Sequence, residues 1–181
     1  MSDSATNDLF TLESLTIADA PGLHELMVSN KNIYKRFLPI TLAQNKTIEA
    51  SVKYILDKND KRNSKTEYIF GIKSRANNTL VGLLILKNLN WGHKRGELAY
   101  CIDEIYQGRG WTTKAIVKIT SFALNDLGLK TLRIIVHKEN RASMRVAEKC
   151  GFLWKKTLLK SYTPTNEESL DMELYEKSDE N

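Results

Sequence analysis

Cysteine is scarce in this chain. Cys101 and Cys150 are the only two, and they do not have the C-x-x-C spacing of a metal or redox site. They read as buried reduced thiols, which points to the cytosol. Histidine is as thin. His24, His93 and His137 are too scattered to make a metal set, so no metal is expected. No run of eighteen apolar residues occurs, so no membrane-spanning helix and no membrane partner are expected. Met1 to Asp8 are polar and lack the hydrophobic core of a signal peptide. Charge of one sign is not concentrated either. The net charge of +5 is spread among 27 basic and 22 acidic residues. The densest basic run, Lys58 to Lys65, reads as a solvated helix end or loop. Trp91, Trp111 and Trp154 are dispersed and read as core or rim. No basic, aromatic face for direct nucleic-acid binding is therefore expected. Two common phosphate loops are missing as well. There is no G-x-x-x-x-G-K-[ST], and Thr113 stands where a dinucleotide fingerprint needs its third glycine.

What is present is a run of alternating elements. An apolar content of 41% is ordinary for a globular protein, and the length suits one domain over 1–181, with 1–8 and 176–181 as loose tails. Phe10 to Ile17 reads as a strand. Asp19 caps a helix that carries Pro21 in its first turn and runs to about Asn30. Tyr34 to Ile40 reads as a loop or short helical turn ending at Pro39. Ile48, Val52, Ile55 and Leu56 have helical spacing within Thr47 to Asn59. Three strands follow, Glu67–Lys73, Leu80–Leu89 and Arg95–Asp103, with turns at Asn77-Asn78 and Trp91-Gly92-His93. Lys114 to Leu127 carries one apolar stripe and stops at Gly128. After the strand at Thr131–Val136 come a short helix near Ser143 and two strands, Phe152–Tyr162 and Leu170–Tyr175. This order gives an α+β, or mixed α/β, layout.

The most telling stretch is Tyr106-Gln107-Gly108-Arg109-Gly110-Trp111-Thr112, between a strand and a helix. Glycines there let the backbone approach a ligand, and the N–H groups that open the helix then face an anion. The stretch resembles the acyl-CoA signature Q/R-x-x-G-x-G/A of the GNAT N-acyltransferase superfamily. Gln107, Gly110 and Thr112 take its three defined positions, with Thr112 in place of the usual small Gly or Ala. Downstream, Asn140-Arg141-Ala142-Ser143 and Ala147 to Phe152 form N-x-x-S…A-x-x-x-G-F. That pairing is similar to the ribosomal-protein N-terminal acetyltransferases of the RimJ/RimL type. The likeness covers about Val81 to Tyr175.

The resemblance implies a GNAT fold with a mostly antiparallel sheet of about seven strands, flanking helices, and a fourth and fifth strand that splay apart. It implies acetyl-CoA as co-substrate. The pantetheine arm would pair with the backbone of the fourth strand at Tyr100, Cys101 and Ile102. The pyrophosphate would fall on Gln107, Gly108, Arg109, Gly110, Trp111 and Thr112. Arg109, Lys114, Arg141 and Arg145 would neighbour the CoA phosphates, with Arg145 and Lys114 equally readable as helix-surface charges. Asn140 would cap its helix or bond the pantetheine amide. Acetyl transfer to an amine needs a neutral amine, a polarised carbonyl and a protonated leaving thiolate. Ser143 is the candidate for the last of these, against the alternative that it only satisfies helix N–H groups. Glu97 is the candidate base, against an exposed strand carboxylate. Tyr162 stands where the family can place an acid, and either orients substrate or packs.

The acceptor would meet Asn32 to Thr41 and the last hairpin, Leu159 to Leu170. Family members acetylate protein N-termini, polyamines and small amines. The expected activity is N-acetyl transfer to a primary amine, of the ribosomal-protein N-terminal type. The alternatives are a polyamine or small-amine acetyltransferase, or a non-catalytic acyl-CoA sensor. Neither monomer nor homodimer is favoured.

Overall fold

The structure, a computed structural model, describes residues 9–179. The expected loose tail at 1–8 lies outside these residues. Seven strands form one sheet in the order β1-β2-β3-β4-β5-β7-β6. They are β1 (Phe10–Ser14), β2 (Tyr68–Ser74), β3 (Leu80–Asn90), β4 (Arg95–Ile102), β5 (Thr131–His137), β6 (Leu153–Tyr162) and β7 (Leu170–Ser178). Every pair is antiparallel except β4 with β5. The mixed α/β class, the mostly antiparallel sheet of seven strands and the flanking helices are as the sequence implied.

The helices are α1 (Ala20–Ser29), α2 (Lys31–Tyr34), α3 (Pro39–Ala43), α4 (Ile48–Asn63), α5 (Trp111–Ser121) and α6 (Arg141–Lys149). They cover the two faces of the sheet with two separate cores. On one face, Ala115, Ile116 and Ile119 of α5 and Ala147 of α6 bury against Leu98, Ile134 and Val136. On the other, Leu23, Leu26 and Met27 of α1 and Tyr54 and Ile55 of α4 bury against Ile69, Leu83 and Cys101. Alternation along β4 therefore sends Leu98 and Tyr100 to the α5–α6 face, and Ala99 and Cys101 to the α1–α4 face.

Several boundaries differ from the sequence reading, each for a local reason. β1 stops at Ser14 because Thr16 and Asp19 close a capping box around a short 3-10 turn, the Thr16 N–H donating to Asp19 Oδ2 at 2.8 Å. Asp19 thus turns its carboxylate back to Thr16 and to Lys73 at 2.7 Å, and does not cap α1 with its side chain. Pro39 opens α3 instead of ending a loop. α5 begins at Trp111, three residues early, because Gly110 is its N-cap. The supposed tail residues 176–178 belong to β7, where Glu176 pairs with Arg133 and accepts from its Nε at 2.6 Å. The basic run at the end of α4 is engaged internally. Lys58 pairs with Glu67 at 2.6 Å, Lys61 pairs with Asp57 at 3.0 Å, and Arg62 donates to the Ser14 hydroxyl.

Gly82 sits in β3 opposite Ile102, and a Cβ there would lie 2.6 Å from the backbone oxygen of Cys101. That contact is with main chain, so β4 itself would have to move. Gly82→Ala is expected to cost about 1–3 kcal/mol, the range for overpacking a well-filled site. Urea unfolding checks it, and an unchanged midpoint would contradict the close packing of β3 on β4.

Candidate active site

β4 and β5 begin as a parallel pair, in register from Arg95↔Thr131 to Leu98↔Ile134. Both strands then continue, β4 to Ile102 and β5 to His137, without pairing further. β3 keeps hold of the outer edge of β4 as far as Ile102, and β7 holds β5 through His137. A wedge opens between them. Along Ala99–Ile102 one row of backbone N–H and C=O groups has no strand to bond, a polar edge suited to an extended ligand with amide groups.

The glycine loop lies at the end of the same strand. Asp103 accepts from the Ile105 N–H at 3.1 Å and starts a short turn over Glu104–Tyr106. Gln107, Gly108, Arg109 and Gly110 are exposed. Gly110 has φ 74° and ψ 3°, a left-handed conformation that other residues adopt only with strain. The Lys114 N–H bonds the Gly110 carbonyl at 3.1 Å. The N–H groups of Trp111, Thr112 and Thr113 precede that bond and are free of intrahelical partners, so the start of α5 forms a cradle of donors suited to an anion.

The side chains around the cradle do other work. Trp111 is buried and stacked on Phe10, with ring centroids 5.6 Å apart, and Thr112 is buried too. Arg109 folds back. Its Nη2 donates to the Ile105 carbonyl at 3.0 Å, and its guanidinium lies 4.6 Å from the Tyr106 ring centroid, so it clamps the loop. Arg145 is exposed on α6.

α6 starts on the far side of the wedge. Asn140 caps it, accepting from the Ser143 N–H at 3.1 Å. Ser143 does not spend its hydroxyl on the helix. It donates to the Tyr100 hydroxyl at 2.8 Å, and Tyr100 donates to the Ser143 carbonyl at 3.1 Å. This bridge spans the opening from β4 to α6. Burial pushes the Tyr100 phenol up to about 12, partly offset by its bond with Ser143, so it stays a proton donor at neutral pH. The side chain of Tyr100 escaped the sequence reading, which used only its backbone. Alternation along Leu98-Ala99-Tyr100 was the available signal, since it sets Tyr100 on the α6 side.

Glu97 lies before the wedge, in the paired part of β4. Its Oε2 accepts from Asn88 at 2.9 Å and its Oε1 pairs with Lys87 at 3.1 Å. Tyr162 lies on β6, and its hydroxyl donates to the Arg36 carbonyl at 2.5 Å. Its ring tilts against Phe37 at 5.8 Å, and Phe37 stacks on His137, also at 5.8 Å. Arg36 pairs with Glu167 at 2.8 Å and lies 3.7 Å from Glu139. The two segments assigned to the acceptor are thus brought together, around a cleft of about 390 Å³ lined by Asn32, Ile33, Arg36, Phe37, Pro164 and Glu167 among others. A void of about 480 Å³ beside Trp91 and Leu127 is at the β3–β4 turn, the opposite end of β4 from the wedge.

Comparison with known proteins identifies the family and the fold. The acetyltransferase (GNAT) domain family matches residues 10–153. The chain belongs to the GNAT acetyltransferase family. "Probable N-acetyltransferase YjcK" of Bacillus subtilis is 28% identical over 139 residues, 76% of this chain and 77% of that protein. The crystal structure of a ribosomal-protein-S5-alanine acetyltransferase from Vibrio fischeri overlays this GNAT chain with a TM-score of 0.89 at 16% identity, covering 97% of this chain and 96% of that one. The microcin C7 self-immunity acetyltransferase MccE, solved with acetyl-CoA and AMP, gives 0.85 at 26% identity, with 95% of this chain and 93% of that one covered. No helix among the described residues of this GNAT chain is long and apolar enough to cross a membrane.

Burial also pushes the thiols of Cys101 and Cys150 up, each to about 11 from an ordinary 9.0. These groups and Tyr100 hold their protons more tightly folded than unfolded. The unfolded chain therefore releases protons first, and stability falls as pH rises from about 9 toward 12. Urea unfolding between pH 8 and 11 is expected to show a level midpoint that then declines. A flat profile would mean that these groups are solvated in the folded protein.

Proposed function

We propose that this chain transfers the acetyl group of acetyl-CoA to the N-terminal α-amine of a protein, by direct attack of the amine on the thioester. N-acetyl transfer from acetyl-CoA follows from the family. The finer reading rests on one observation: the unpaired edge of β4, the cradle of α5 and the Tyr100–Ser143 bridge all converge on one wedge.

In this reading the pantetheine amides bond the free edge of Ala99–Ile102, and the pyrophosphate meets the N–H groups from Gln107 to Thr112. The backbone donors of β4 polarise the thioester carbonyl where negative charge develops. As the C–S bond breaks, Ser143 turns its hydroxyl from Tyr100 to the sulfur and gives its proton, while the phenol of Tyr100, which burial keeps protonated, turns from the Ser143 carbonyl to the serine oxygen and replaces that proton. Asn140 holds the α6 turn that carries Ser143. Arg145 lies within the same helix and serves the outer phosphates.

The acceptor cleft supports a peptide-like amine. Its lining carries the cations Lys35 and Arg36 beside the single carboxylate Glu167. A polyamine is multiply cationic and calls for several carboxylates. The free, buried thiols suit a reducing compartment, so we place the protein in the cytosol.

Calorimetry tests the donor site. Gly110→Asp combines a side chain at a left-handed position with a negative charge at the cradle, and is expected to abolish acetyl-CoA binding without unfolding the protein. Ser143→Ala is expected to lower kcat by about ten- to ten-thousand-fold with acetyl-CoA affinity little changed. A screen of peptides with N-terminal Ser or Ala against a polyamine panel decides the acceptor. Turnover of polyamines alone would replace the protein-terminus reading, and binding without turnover of any amine would make the chain a sensor.

A further inference from the structure

We propose that His137 is the general base that takes the proton from the acceptor ammonium, with Glu139 stabilising the imidazolium. The assignment rests on the acetyl-transfer reading above. His137 is the last residue of β5, three positions past the last pair with β4. Continuing that register sets it opposite Cys101, across the widest part of the wedge. Leu132, Ile134 and Val136 pack into the α5–α6 core. Alternation therefore turns His137 to the opposite face, where the acceptor cleft lies.

The contacts agree. The imidazole is only 6% exposed and stacks on Phe37, a lining residue of that cleft. Its Nδ1 lies 3.7 Å from Glu139 Oε2. The Glu139 N–H also approaches Nδ1, but at 3.4 Å it is too long to fix a tautomer. With Nδ1 protonated toward the carboxylate, Nε2 keeps a free lone pair. Across the wedge the Tyr34 hydroxyl is buried beside Cys101 and completes no hydrogen bond, a polar group still without its partner. The charged and titratable groups around the imidazole are Glu139 before α6, Arg36 on the segment between α2 and α3, Tyr162 of β6 behind Phe37, and Cys101 on β4. Met172 of β7 is its neutral strand partner. An imidazole nitrogen can accept one proton and pass it on, as this step requires. Glu97, by contrast, sits before the wedge with both oxygens engaged.

The protons balance. The ammonium passes one proton to Nε2, directly or through one water. The neutral amine then forms the C–N bond. The thiolate is protonated through Ser143 and Tyr100 as the C–S bond breaks, and the second proton of the nitrogen passes through water to restore the Tyr100 phenol. His137 finally returns its proton to solvent, giving amide, CoA thiol and one proton.

The test compares pH–rate profiles of the intact chain with His137→Asn, Glu139→Gln and Glu97→Gln, using the acceptor found in the amine screen, with acetyl-CoA binding followed by calorimetry. His137→Asn is expected to lose about 10²- to 10⁴-fold in kcat/KM and to lose the acidic limb, with acetyl-CoA affinity kept. Added imidazole should restore part of the rate in His137→Ala. Glu139→Gln alters a largely exposed side chain, so folding is not at issue. It removes a negative charge beside the imidazolium, and the acidic limb should move to lower pH. An acidic limb that survives in His137→Asn and disappears in Glu97→Gln overturns the assignment, as does a limb unmoved by Glu139→Gln. In those cases a wild type that still binds and turns over acetyl-CoA leaves the acetyl-transfer reading standing. A wild type that binds no acetyl-CoA removes both.

Discussion

The parting of β4 from β5 after Leu98 and Ile134 is the constraint on which the rest of the site depends. A parallel pair that continued to Ile102 would satisfy every backbone group and leave no edge for a ligand. Each strand is held instead from its other side, β4 by β3 and β5 by β7, so the separation costs the sheet only the few bonds along the wedge. The missing bonds are those that an extended amide-bearing molecule can make.

The two faces of the sheet divide the chemistry. On the α5–α6 face lie the cradle at Gly110 and the Tyr100–Ser143 bridge, the side we assign to the acetyl donor. On the α1–α4 face, Phe37, His137 and Tyr162 form an aromatic wall held by Arg36, which reaches Glu167 and Glu139. The wedge is the passage between them. Residues far apart in sequence meet there because Asn140 begins its helix directly after β5 ends, and because the β6–β7 hairpin folds back over the segment between α2 and α3.

The donor side was largely legible in the sequence. Glycines between an apolar strand and an amphipathic helix state their own geometry, and Asn140 three residues before Ser143 is a cap by spacing alone. The order of strands and helices was equally plain from periodicity. What the sequence hid were relations across the sheet. Tyr100 looked like one more strand residue until α6 was set against it. His137 looked like an isolated histidine, because nothing local says that β5 outlasts its pairing with β4. Asp19 seemed a simple cap because Lys73, its ion-pair partner, is distant in sequence. The fold-back of Arg109 onto Tyr106 was hidden too, because it depends on the shape of the loop.

The central claim is that acetyl-CoA completes the open edge of β4. Amide hydrogen exchange, measured with and without acetyl-CoA, tests it most directly. The account predicts marked new protection at Tyr100 and Ile102, whose N–H groups face the wedge, and at the start of α5, with little change at Ala99 and Cys101, which β3 already bonds, or at Arg95–Leu98, where β5 already supplies partners. Protection that appears elsewhere while Tyr100 and Ile102 exchange as before would contradict it.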